Sequence, residues 1–268
     1  CLAGGVALNS VINGKITQQT KFKNIYIQPS AGDGGGAIGA ALSFILDGKS
    51  SKRDFIMDHA FWGPEFDDNE IKRVISDSKY KYTYYENKED LHNTIVEDLL
   101  KNKVIGLFQN KMEWGPRSLG NRSIIANPTN LDMKDVVNSK IKFREPYRPF
   151  APSVMEDKIE DFFLTNNIIT PNPNDFMLNV VKVKPGKIDD IPAVSHMGTA
   201  RIQSVRKENT DYYNLIKKFY NKTNIPLLLN TSFNIKGEPI VCSPKDALNT
   251  FSKSGLDHMA IGSYYLTK

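Results

Sequence analysis

Four arginines, Arg117, Arg122, Arg144 and Arg148, stand among Gly, Pro, Asn and Ser in two stretches. These are QNKMEWGPRSLGNRSIIANP over residues 109–128 and REPYRPFAPS over residues 144–153. They do not follow the 3.6-residue period of a solvated helical face. A guanidinium is a planar fork of donors that meets phosphate or carboxylate in pairs. Carried on loops braced by Gly and Pro, such residues fit an oxyanion or nucleotide-phosphate pocket. From charge alone they equally fit ordinary solvated arginines.

Lys142 and two further segments, TARIQS with Arg201 and LLNTSFN with Asn230, Thr231 and Ser232, extend the same theme. Fixed cations and neutral donors can offset phosphate charge and stabilise charge developing at a transferring phosphoryl or acyl-phosphate group. There is no GxxxxGK[ST] loop and no Ser–His–Asp pattern or Cys nucleophile in the chain. Chemistry by positioning and electrostatics is therefore expected over covalent catalysis. Around these residues, Glu113 is expected to cap or pair rather than act as a base, and Trp114 and Phe150 to pack. Phe233 should pack beneath its loop and Cys242 should be a buried small hydrophobe. His196 has no visible partner and receives no role.

The elements that must position these side chains read as α/β with α+β elements. A small turn at Ala3-Gly4-Gly5 leads into a helix, residues 24–28 alternate as a short strand, and the glycine loop 30–36 opens an apolar helix over 37–46. Residues 48–58 read as a linker. Helices are expected over 69–76 and 88–100, and strands over 80–85 and 104–109, the latter running into the first arginine loop. Residues 133–141 should be helical, 166–175 a Pro/Asn-rich loop, 176–183 a strand and 212–221 a helix. An apolar strand over 226–229 ends at Asn230-Thr231-Ser232, and Ser243 caps a last helix over 244–253.

The bulk properties set limits. With 268 residues, 40% hydrophobic and 24% charged, the chain can bury a sizeable core in one large domain or two smaller ones. A net charge of +5 without basic runs does not imply nucleic acid. No run approaches the roughly 20 apolar residues that span a bilayer. Two cysteines and four dispersed histidines form no disulfide framework and no metal-ligand spacing, so a reducing cytoplasm is the expected compartment. The opening CLAGGVALN carries no signal-peptide pattern and reads as a start inside a domain.

Three motifs in order make a specific match. MEWGPRSLGNRSIIANP, KIKFREPYRPFAPSVMED and LLNTSFNIKGEPIVCSPKDAL resemble the carboxy-terminal domain of the NodU/CmcH-type O-carbamoyltransferases. AGGVALN followed by QPSAGDGGGAIGAA is similar to the end of that family's amino-terminal domain. The resemblance implies a YrdC-like twisted mixed sheet over residues 60–268. A linker at 51–59 would precede it, and before that a fragment of an actin/sugar-kinase-like ATPase domain over 1–50. It implies that carbamoyl phosphate and ATP, with Mg2+, are joined into carbamoyl-adenylate with release of pyrophosphate. The carbamoyl group would then pass to the hydroxyl of a small-molecule or sugar acceptor.

The same resemblance assigns residues. Lys142, Arg148, Arg201 and Ser232 fall on the catalytic positions. Asn230 falls on the substrate and nucleotide positions, with Thr231, Arg144 and Arg117 as neighbours. Arg117 and Arg122 are expected chiefly to brace their loop. Gly4, Gly5 and Asn9 match positions near the nucleotide of the amino-terminal domain. Asp33 matches a ligand of a divalent metal there, with iron a candidate. The HxxxH pair that completes that site in the family does not occur in the chain, so the metal and transfer site is expected to be incomplete here. The missing amino-terminal half is then the expected partner. Two departures stand out: GPRSLG replaces GPRALG, and Asn110-Lys111 replaces Gly-Arg, which puts the local loop shape in question. Two other readings remain at this stage. One is a threonylcarbamoyl-adenylate synthase of tRNA modification, and the other a non-catalytic nucleotide-binding module.

Overall fold

The structure is a computed structural model that describes residues 1–46, 56–145, 147–165 and 173–268. Most of the expected linker and of the 166–175 loop lies outside the described residues.

The amino-terminal piece has a 3-10 turn at Gly5–Leu8, then helices α1 (Ser10–Gln19) and α2 (Asp33–Leu46). Two expectations change here. Residues 24–28 form no strand and contribute a single parallel bridge, Leu2 to Ile27. Gly34, Gly35 and Gly36 of GDGGG lie in the first turn of α2 rather than in a loop before it. Gly35 is buried against Gln28 and Ser30, where a Cβ would overlap their atoms, so this glycine serves close packing.

The next elements are α3 (Asp68–Ser76), β1 (Lys81–Tyr84), α4 (Lys88–Leu100) and β2 (Ile105–Phe108). Asp67 and Glu70 close a capping box on α3, and Asn87 caps α4 by accepting from Glu89 N at 2.8 Å. There follow β3 (Arg122–Ala126), α5 (Met133–Val137) running into a π-helical turn at Asn138–Lys142, and β4 (Ala151–Met155). After α6 (Ile159–Phe162) come the short strands β5 (Phe163–Leu164), β6 (Val181–Val183), β7 (Thr199–Ala200) and β8 (Gln203–Val205). The chain closes with α7 (Thr210–Thr223), β9 (Leu227–Ser232), α8 (Pro244–Lys253), β10 (His258–Ile261) and β11 (Tyr264–Thr267). Ser243 and Asp246 form a capping box on α8, as Ser243 alone was expected to do.

Eight strands make one mixed sheet in the order β1-β11-β10-β2-β3-β9-β4-β8, with β10/β2 and β4/β8 parallel. A second, antiparallel sheet has the order β5-β6-β7. Strands β2, β3 and β4 are buried along their whole length. Such strands read as continuous apolar or small-residue runs rather than as alternation. That is why β3 and β4 were hidden inside the two arginine-rich stretches. Between them lies β9, antiparallel to both, with α7 packed over β4 and β9. The expected strand 226–229 thus continues through Asn230, Thr231 and Ser232. Residues 176–183 contain only β6, preceded by a 3-10 turn at Pro173–Phe176.

The amino-terminal piece packs on the larger unit. Ala7, Ile25, Ile27 and Ala31 share a small core with Leu119, Ala151, Phe176 and Leu178. Polar ties reinforce it: Asn13 Nδ2 donates to Leu178 O at 2.8 Å, and Val180 N donates to Ser10 O at 3.1 Å. Gly115, at φ +127°, lets the arginine loop meet this piece, since a Cβ there would lie 2.6 Å from Pro29 O.

Candidate functional site

Lys142 ends the π-helical turn, and Phe143, at φ +46°, redirects the chain immediately after it. The Lys142 side chain is buried and its ammonium faces four oxygens. They are Ser232 O at 2.5 Å, Ser232 Oγ at 3.2 Å, Asn234 Oδ1 at 2.8 Å and Asn234 O at 3.0 Å. Ser232 Oγ in turn donates to Asn234 Oδ1 at 2.7 Å. Burial, with the charge of Arg144 second, pulls Lys142 down to about 7, while the surrounding oxygens favour its protonated form. Lys142, Arg144, Arg148, Ser232 and Asn234 line one open cavity of about 240 Å³.

Arg144 lies over the Phe150 ring, 4.6 Å from its centroid, and its Nε donates to Asn138 Oδ1 at 3.0 Å. Arg148 is exposed, and its Nε sits 2.9 Å from Glu145 Oε2. An exposed pair of this kind holds a side chain only weakly. Arg201 is drawn down to about 9 by burial, then by the charges of Arg117 and Arg144. Its Nε and that of Arg117 are sealed from solvent without a hydrogen-bond partner. Ser118 Oγ and Asn138 Nδ2 are stranded in the same way. Arg117 also donates from Nη2 to Leu8 O at 3.3 Å. Arg201 therefore stands within the field of two other guanidiniums. Arg144 also feels the Glu145 carboxylate, whereas no carboxylate offsets Arg117 or Arg201; desolvated charges so left are costly, and these two suit an anion. Arg201, Phe150 and His196 also line a smaller cavity of about 140 Å³ against Ser10 and Val11 of α1.

Asn230 lies elsewhere, fully buried, and borders neither cavity. Its Nδ2 faces Ser153 Oγ at 2.8 Å, Gln203 Oε1 at 3.1 Å and Ser118 O at 3.1 Å. Gln203 Nε2 donates to Leu119 O at 2.7 Å. This network ties β9, β4 and β8 to the GPRSLG loop that carries Arg117. Thr231, paired with Ile124, points to the other face of the sheet, as period-two alternation requires.

Gly4, Gly5, Asn9 and Asp33 line neither cavity. Gly4 N donates to Ala31 O at 2.7 Å, and Gly5 begins the 3-10 turn. Asn9 Oδ1 caps α1, accepting from Val11 N and Ile12 N, both at 3.2 Å. Asp33 begins α2 and is exposed. Among the described residues no three His, Cys, Asp or Glu side chains are grouped to hold a metal.

Arg122 is not on a loop. It opens β3, is fully buried, and lies over the Phe108 ring at 3.6 Å. Its guanidinium donates to Gln109 O at 2.7 Å, Asn121 O at 2.9 Å and Pro64 O at 3.1 Å. Glu113 Oε1 accepts from Leu119 N at 2.7 Å, Asn121 N at 2.8 Å and Arg122 N at 3.2 Å. Both residues brace the loop, as expected of Arg122; Glu113, expected to cap a helix or pair with an arginine, instead gathers loop N–H groups. Phe233 is fully buried beneath its turn, whereas Cys242 is only half-buried and presents its carbonyl to Arg122 Nε at 3.4 Å. Asn110 keeps a left-handed backbone, φ +46°, which asparagine tolerates, so the loop holds its shape without the expected glycine.

Asn234, Asn138 and Gln203 were missed by sequence reasoning. Asn234 had a local signal, its place two residues after Ser232. Gln203 had none, because its partners lie far away in sequence, and Asn138, six residues before Arg144, was passed over as part of a helix.

Comparison with known proteins matches the carbamoyltransferase C-terminus family to residues 96–268 and the carbamoyltransferase N-terminus family to residues 1–42. Nodulation protein NolO of Bradyrhizobium diazoefficiens is 39% identical over 100% of this chain and 49% of its own length. Nodulation protein U of Rhizobium fredii is 34% identical over 88% of this chain and 38% of its own. The chain spans about half the length of the curated relatives it matches. Among solved structures, full-length HypF in its phosphate- and nucleotide-bound form aligns with 66% of this chain and 22% of its own. At a TM-score of 0.43 and 13% identity, that alignment carries no argument. Among the described residues no helix is long and apolar enough to cross a membrane.

Proposed function

The chain belongs to the carbamoyltransferase family, and from that premise we propose that its buried cations join carbamoyl phosphate to ATP as carbamoyl-adenylate, for O-carbamoylation of a hydroxyl acceptor. The observation that carries this reading is the pair Arg117 and Arg201, offset by no carboxylate, with Arg144 and Lys142 beside them and stranded donors among them. Two polyanions repel, and fixed cations bring them together at no reorganisation cost during reaction. Balance requires one water and two leaving groups: water splits carbamoyl phosphate into phosphate and carbamate, and a carbamate oxygen attacks the α-phosphorus of ATP, expelling pyrophosphate.

On this reading Lys142 and Ser232 bind the reacting phosphates, and Arg201 with Arg144 and Arg117 neutralises them. Arg148 leaves its weak pair with Glu145 to close over the ligand. Asn230 acts from beneath, fixing β9 and the GPRSLG loop. Mg2+ accompanies ATP as its counter-ion. Residues 60–268 are read as the YrdC-like domain and 1–50 as part of an actin/sugar-kinase-like domain, with Gly4, Gly5 and Asn9 near its nucleotide. Among the described residues no group of His, Cys, Asp and Glu around Asp33 fits a metal, and the proposed adenylation uses none there.

The test is pyrophosphate release from ATP by the purified chain, dependent on carbamoyl phosphate. Arg148→Ala or Ser232→Ala should abolish it while melting curves stay near wild type. ATP binding without release would replace this reading with a nucleotide-binding module. Release that instead needs threonine and bicarbonate would replace it with threonylcarbamoyl-adenylate synthesis.

A further inference from the structure

Four bases line the open cavity of about 240 Å³, Lys142, Arg144, Arg148 and Lys236, and among the described residues Glu145 is the one carboxylate that faces them there. Two of the bases are already engaged. Lys142 donates to the oxygens of Ser232 and Asn234, and Arg144 is held by Asn138 and the Phe150 ring. The other two are exposed. Arg148 Nε pairs with Glu145 Oε2 at 2.9 Å, and Lys236 makes no hydrogen bond or ion pair among the described residues.

The backbone that presents Lys236 is fixed. It forms a turn after β9, closed by Glu238 N donating to Ile235 O at 3.2 Å. Glu238 anchors that turn to α8, accepting from Thr250 Oγ1 at 3.0 Å and pairing with Lys253 at 3.2 Å. Glu145 is the counterpart on the other loop. Its carboxyl is held below the ordinary carboxylate range, first by its own backbone N–H, then by Arg148, with lesser pulls from Lys236 and Arg144. One carboxylate thus lies in the field of three of the four bases. An exposed pair is screened by solvent and exchanges readily. A single carboxylate cannot hold these bases against a phosphate chain that carries two or more charges.

We propose that Glu145 is the resident counter-ion of this cavity, displaced by a polyphosphate, and that the bases it releases, Arg148 and Lys236, then hold the phosphates from two separate loops. Lys236 becomes a further phosphate ligand, and Glu145 an internal competitor that sets the affinity. The proposal rests on the reading of this cavity as a phosphate site, though not on the reaction run there.

Pyrophosphate titration by calorimetry, free of metal and at one low ionic strength, tests it. Wild type should bind saturably. Glu145→Gln should bind more tightly and Lys236→Met more weakly, each by about threefold or more. Both side chains are exposed, so both variants should melt near wild type. Competition for Arg148 couples it to Glu145, whereas a plain field effect would add. The loss on Arg148→Ala should therefore be at least about twice as large in the Glu145→Gln background as in wild type. Equal or weaker binding by Glu145→Gln, unchanged binding by Lys236→Met, or independent effects at Arg148 and Glu145 overturns the proposal and leaves the phosphate site standing. Absence of saturable binding by wild type removes the phosphate site and the proposal together.

Discussion

Asn234 Oδ1 lies 2.8 Å from Lys142 Nζ and 2.7 Å from Ser232 Oγ, so one amide oxygen orients both proposed phosphate ligands. The amide is itself held, its Nδ2 donating to Glu238 O at 2.7 Å. The geometry of the two ligands thus depends on a residue that need not touch substrate.

Asn234→Ala should therefore act as a positioning change. Pyrophosphate release is expected to fall at least tenfold, mostly in kcat, with about 1–2 kcal/mol lost from stability through the missing hydrogen bonds. Asn234→Asp should recover part of the rate by keeping the oxygen. Steady-state kinetics and thermal melts separate the two effects, and full activity in the Ala variant would exclude the role.

Lys142 gives a pH signature. Its folded value is lowered to about 7 from 10.5, so between those values the unfolded chain binds more protons. Its contribution then makes the free protein more stable as pH rises from about 7 towards 10.5. Anion binding runs the other way, because a bound anion favours the ammonium. Pyrophosphate affinity should weaken as pH rises past about 7, by up to about tenfold per unit attributable to this group. Titrations of wild type against Lys142→Met isolate that slope, since the variant should lack it.

Arg201 is stabilised by no carboxylate and feels two like charges. Arg201→Met should consequently raise the melting temperature of the ligand-free protein, by about 1 kcal/mol or more of stability. The same variant should lose pyrophosphate binding. Lower stability together with retained binding would refute the view that Arg201 is held there for an anion.

Glu113 and Arg122 should behave as structure. Glu113→Ala leaves three buried N–H groups without their acceptor, at a cost of about 2–4 kcal/mol. Chemical denaturation measures this. Any residual folded enzyme should keep its KM, because neither side chain lines the arginine cavities.

Much of this was readable from the chain, and what was not has physical causes. Helices over 69–76 and 88–100 announced themselves through their pattern and the last through its cap, Ser243; the caps at Asp67 and Asn87 emerged only in the structure. Lys142, Ser232, Arg144 and Arg148 were named from motifs, and the fold brings them to one cavity. Strands β3 and β4 escaped because a strand buried on both faces lacks alternation and here carries Arg, Ser and Pro. Arg122 looked like a loop cation because its five acceptors include carbonyls as distant as Pro64 and Cys242.

The placement of β9 between β3 and β4 also governs when the protein becomes competent. Its register sets Ser123 opposite Ser232 and Ala151 opposite Asn230, and a slip of one residue would turn Ser232 away from Lys142, 90 positions earlier. Contacts so distant along the chain close late during folding, after local helices have formed. Recovery of catalysis after dilution from denaturant should therefore lag behind recovery of helical signal, and the interval between them times the insertion of this one strand.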